Sequence, residues 1–214
     1  MQSQKSIFIV FSSTRCGVGR FIRFVTGGFY NHVSISFDEN LRELYSFARF
    51  YRRVPLYAGF VQESGLRYRL FNTPIKVCKV ELSDSKYEAV RDRIDSMMSH
   101  KDTYIYNLVS AAAYPLRHKI KICSAYTCVE FASHLLDLAG VENCENKSGF
   151  CSIKNLENLL ANNVIYEDII PQSEFDDWQN DVFNEKIGVV GAIKYTLRNN
   201  ARLVKRILVH SDRN

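Results

Sequence analysis

The sequence predicts an α+β fold in which an antiparallel sheet packs against helices. Segments with the period-2 alternation of strands come early in the chain, and segments with the helical spacing of apolar residues dominate after them. Size and composition agree: 214 residues, 46% apolar and 13% aromatic, give one domain a sizeable core and exclude a disordered or collagen-like chain.

Residues 6–11, Ser-Ile-Phe-Ile-Val-Phe, read as a buried strand, followed by a loop at 12–17 and a short helix ending at the Gly27-Gly28 pair. Residues 32–37 alternate cleanly, with Val33, Ile35 and Phe37 on one face and His32, Ser34 and Ser36 on the other. A turn at Asp38-Glu39-Asn40 leads into a second strand near residues 43–47. A strand at 75–82 precedes a helix at about 85–100, where Tyr87, Val90, Ile94, Met97 and Met98 keep helical spacing. A further helix is expected at 104–114, stopped by Pro115, then helices near 128–139 and 153–161 and a β-like stretch at 164–169. With no repeat or Pro/Gly/Ser-rich linker, residues 1–186 form one domain and 187–214 a C-terminal extension.

No apolar run reaches the roughly 18 residues that span a bilayer, and the N-terminus lacks a signal-peptide pattern, so a cytoplasmic protein is expected. Its six cysteines, at 16, 78, 123, 128, 144 and 151, are then thiols by default. Charge is segregated. Residues 1–80 hold twelve Lys+Arg against four Asp+Glu, and residues 187–214 hold six against one. Ile193, Leu197, Ala201, Val204 and Leu208 share one helical face of the extension, amid Arg198, Arg202, Lys205 and Arg206. Such a helix either docks on its own domain with its charges in solvent or lies on an anionic membrane surface; nucleic acid is the weaker partner class.

The most informative segment is Tyr126-Thr-Cys-Val-Glu-Phe-Ala-Ser-His-Leu-Leu-Asp-Leu-Ala-Gly140. Thr127 and Glu130 form a capping box, and Tyr126 with Phe131 occupies the positions of a hydrophobic staple, so the helix starts at Cys128. Gly140 stands where a helix C-terminal glycine belongs. A cysteine in the first turn meets unpaired backbone N–H groups and the positive end of the helix dipole, both of which favour a thiolate. The other reading is a small apolar residue packed at a helix start. Cys123 is the competing nucleophile, but a helix begun there would bury Thr127 and Glu130.

A cysteine nucleophile needs a histidine. His100, His118 and His210 lie in polar or basic surroundings, and His134 sits six residues along the same helix. His32 remains, beside the small Ser34. A third group usually orients the imidazole, and the next strand offers Glu43, Tyr45 and Ser46.

Residues 30–36, Tyr-Asn-His-Val-Ser-Ile-Ser, with 44–47, Leu-Tyr-Ser-Phe, and about eighty residues later 126–132, Tyr-Thr-Cys-Val-Glu-Phe-Ala, with Ala139-Gly140-Val141, resemble the circularly permuted branch of the NlpC-like papain-fold hydrolases, which includes YiiX-like proteins and the lecithin retinol acyltransferase group. The histidine strand precedes the cysteine helix, the permuted order. The resemblance covers roughly residues 6–141 and implies a permuted papain-like fold, Cys128 as nucleophile and His32 as base. The family's third polar residue falls on Ser46 or Tyr45, where the family has His, Asn, Gln or Glu; Val129 replaces a small residue. Tyr30, Tyr126 and Arg49 are assigned to the substrate side, Arg49 with a preference for an acidic group. The activity implied is acyl transfer through a Cys thioester on a peptide, amide or lipid ester, with no metal or cofactor. Three alternatives stand beside this thiol hydrolase: a lipid acyltransferase, a non-catalytic binding module, and a zinc protein built on Cys123, Cys128, Cys144 and Cys151, with His134 as a further candidate ligand, whose cysteine spacings lack C-x2-C knuckles.

Overall fold

A computed structural model of the chain describes residues 5–14, 28–69, 72–141, 149–170 and 182–211. In chain order the elements are β1 (Lys5–Ser12), β2 (His32–Ser36), β3 (Leu44–Arg49), β4 (Ala58–Glu63), the single-turn α1 (Leu66–Arg69), β5 (Pro74–Leu82) and α2 (Asp84–Ser99). There follow β6 (Ile105–Tyr106), α3 (Leu108–Ala112), β7 (Ala125–Tyr126), α4 (Cys128–Leu138), α5 (Ile153–Leu159), β8 (Val164–Ile169) and α6 (Val189–Ser211). The helix expected to end at Gly27-Gly28 lies outside the described residues.

The fold is α+β, built on one sheet of order β7-β6-β4-β3-β2-β1-β5-β8. Pairing is antiparallel except between β6 and β7, which run parallel, Ile105 opposite Ala125 and Tyr106 opposite Tyr126. The sheet is therefore mixed rather than purely antiparallel.

The helix expected at 104–114 is the clearest local departure. Residues 105–106 join the sheet instead, and Asn107 then caps the short α3 by accepting from the Ser110 amide. Apolar spacing over these residues comes from a strand edge and a helix in succession. Gly59 of β4 makes this possible: a Cβ there would stand 2.6 Å from the Tyr104 carbonyl oxygen.

The two sheet faces bury different sets. Ile7, Ile9, Phe11, Val33, Ile35, Tyr45, Phe47 and Phe60 meet Val90, Ile94 and Met97 of α2 and Phe131, Leu135 and Leu136 of α4 in the main core. Phe8, Val10, Leu44, Ile75 and Val77 point the other way and pack with Tyr68 and Ile170. The alternation read along residues 32–37 is this division of faces.

The C-terminal extension docks on the domain, but with the opposite face to the one expected. Leu203 of α6 is buried with Ile105, Ile122 and Ala125, Tyr195 stacks on Tyr57 at 4.9 Å, and Asn199 donates to the Ala58 carbonyl. Arg202 donates to the Asp102 carbonyl, and Arg206 to those of Thr103, Cys123 and Ser124. Ile193, Leu197, Val204 and Leu208 face solvent. The sheet edge beneath α6 presents backbone carbonyls, which guanidinium groups satisfy and leucines do not. Among the described residues no helix is long and apolar enough to cross a membrane.

Candidate active site

Cys128 occupies the first position of α4, and its local sequence fixes that start. Thr127 Oγ1 accepts from the Glu130 amide at 3.2 Å and Glu130 Oε2 accepts from the Thr127 amide at 2.7 Å, a complete capping box. The second Glu130 oxygen accepts from Ser110 of α3. At the far end Gly140, at φ 73°, closes the helix: its amide reaches the Asp137 carbonyl and the Val141 amide the Leu136 carbonyl, a Schellman motif. The Tyr126 and Phe131 rings both pack on Phe47.

His32 opens β2 opposite Ser12, the last residue of β1, and so stands at one end of the sheet. Its Nε2 lies 3.0 and 3.2 Å from the two carboxylate oxygens of Glu63. Glu63 closes β4, and its Oε2 also accepts from Ser34 Oγ and Tyr68 OH, each at 2.6 Å, while Arg67 stands 3.7 Å from Oε1. Burial alone would push the imidazole down, but the Glu63 charge, together with the neighbouring Cys128 side chain, outweighs it and raises His32 to about 10. Burial would likewise raise Glu63, and the imidazolium charge and its hydrogen bond hold the carboxyl at about 2 instead. The pair is an ion pair over the range between. Burial and the adjacent Glu63 charge keep Tyr68 a phenol, well above the usual range.

The third polar group beside His32 is thus Glu63 on β4, and not Ser46 or Tyr45 on β3. Ser46 is fully buried and its hydroxyl donates to the Val33 carbonyl. Tyr45 points into the main core, between Phe37 and Phe60. Glu43 pairs with Arg91 at 3.0 Å. Only the sheet shows this, because β3 separates the two strands that carry His32 and Glu63. The one signal available beforehand was a lone acid at the end of the apolar run Ala58-Gly-Phe-Val-Gln-Glu63.

No family model matches the chain, and neither a curated protein nor a solved structure matches it.

The residues assigned to the substrate side scatter. Tyr30 is 2% exposed and donates to Glu167, a core role. Arg49 donates to the Arg52 carbonyl and lies over the Phe183 ring. Tyr126 lines a groove of about 770 Å³ and stacks on His134, whose imidazole burial lowers. Val129 is buried beside Cys128. Among the other cysteines, Cys123 is an exposed thiol ahead of β7, and burial pushes the Cys78 thiol up to about 12. Cys151 is disulfide-bonded, so the described cysteines are not all thiols, as the default reading had them. The zinc alternative loses Cys151 as a thiolate ligand, and its Cys144 lies outside the described residues.

Proposed function

We propose that the chain is a cysteine hydrolase of amidase or peptidase type on a permuted papain-like fold, with Cys128 as nucleophile, His32 as proton carrier and Glu63 as the residue that orients the imidazole. The observation that carries this reading is the meeting of a buried carboxylate–imidazole pair, reached diagonally across the sheet, with a cysteine that opens a capped helix.

With Nε2 held by Glu63, Nδ1 is the ring nitrogen left to exchange a proton with the thiol, and the imidazolium is the counterion that a thiolate needs. The thiolate attacks the carbonyl carbon of an amide or ester, forming a C–S bond and placing negative charge on the carbonyl oxygen. The Glu130 amide is taken by Thr127, which leaves the Cys128 and Val129 amides, unpaired within the helix, as donors to that oxyanion. His32 then gives its proton to the leaving nitrogen or oxygen as the bond to it breaks. Water resolves the thioester, with His32 taking the proton back.

A catalytic thiolate reacts with iodoacetamide at about pH 6, and His32→Ala should confine labelling of Cys128 to above about pH 8. Mass spectrometry of the Cys128 peptide reads the result, and equal labelling of both proteins at the lower pH would remove the enzyme reading. One observation favours a second reading, a non-catalytic module that keeps the fold: Cys128 is only 4% exposed. Wild-type protein that labels only at the higher pH would support it.

A further inference from the structure

Helix α6 turns two unlike faces in opposite directions. At about 100° per residue, Tyr195, Asn199, Arg202, Leu203 and Arg206 fall on one arc, the docked one. Val190, Ile193, Leu197, Val204 and Leu208 fall on the arc opposite and are 53% to 81% exposed. They run along the helix for about 27 Å at about 1.5 Å per residue. Lys194, Arg198 and Lys205, all exposed, line one flank of this strip. Residues 187–211 contain no Asp or Glu.

A continuous apolar strip in water marks a surface that something covers. The occupant must offer an apolar layer to five aliphatic side chains and negative charge to the lysines and arginine beside them. A second α6 supplies the apolar part but carries no acid to meet the basic flank. The headgroup region of an anionic bilayer supplies both: aliphatic side chains enter the acyl boundary while Lys and Arg stems extend to the phosphates. We infer that α6 is an interfacial helix that seats the protein on an anionic lipid surface, its polar face holding the domain and its apolar face the membrane.

The test uses the full chain, because removing α6 would also uncover Leu203 and the apolar cluster beneath it. Wild-type protein should co-sediment with phosphatidylcholine vesicles containing phosphatidylserine and far less with phosphatidylcholine alone. A triple variant, Leu197→Gln, Val204→Gln and Leu208→Gln, should partition about tenfold less or weaker still, since binding scales with buried apolar area. These positions are in solvent, so thermal unfolding of the variant should match wild type. Replacing Lys194, Arg198 and Lys205 by Gln should abolish the preference for anionic vesicles. Equal sedimentation of wild type and the Leu/Val variant, or none by either, overturns the inference. So does a wild-type dimer in sedimentation velocity that the same variant dissociates, which would make the strip a contact between copies of this chain.

Discussion

Glu63 keeps its charge in a buried place because Ser34, Tyr68 and His32 all turn hydrogens toward it, and that arrangement makes stability depend on pH from both sides. The Glu63 carboxyl is held below its ordinary 4.5, so its contribution is complete above that pH and is lost as pH falls toward about 2. His32 is held above its ordinary 6.5, so its contribution is complete below that pH and is lost as pH climbs toward about 10. Glu63→Gln should therefore cost most between pH 4.5 and 6.5, about 3–5 kcal/mol as one partner of a buried pair is neutralised. Urea unfolding across the pH range reads this, and a cost that stays constant with pH would contradict the pairing. The histidine half of this pair was legible in the sequence because β2 alternates strictly. Glu63 was not, since β4 shows no clear alternation and β3 lies between it and the strand that carries His32.

Helix α4 was legible end to end because each of its boundaries is set by chemistry local to it: the Thr127–Glu130 box at one end and the left-handed Gly140 at the other. Thr127→Ala should lower stability by about 1 kcal/mol, the usual cost of an N-cap, and Thr127→Ser should restore most of it; thermal melts of the three proteins would show whether the hydroxyl is responsible. Strands β6 and β7 were not legible for the converse reason. Two-residue strands have no period, and what holds them is pairing with distant residues: Gly59 for β6, and each other. The extension shows a third case. Its amphipathic pattern was plain, but which face docks depended on the carbonyls waiting at the sheet edge.

Over the whole molecule, the described residues hold free thiols at Cys78, Cys123 and Cys128 and a disulfide at Cys151. Denatured but unreduced protein treated with iodoacetamide should take up label at Cys78, Cys123 and Cys128 and not at Cys151, and prior reduction should add Cys151. Label at Cys151 without reduction would show that the bond is absent. Charge is organised at the same scale: among the described residues of the basic extension, Arg202 and Arg206 tie it down while Lys194, Arg198 and Lys205 are exposed.

Arg206 joins these scales. Its single guanidinium group takes the carbonyls of Thr103, Cys123 and Ser124, the residues that lead into β6 and β7, and β7 in turn ends one residue before the Thr127 cap. A short strand that peels away surrenders part of that clasp, and lifting α6 off removes it while the strands keep their pairing with Gly59 and with each other. The edge of the sheet and the C-terminal helix are therefore coupled through one side chain, and the segment that delivers Cys128 to its position is steadied by a helix more than sixty positions later in the chain.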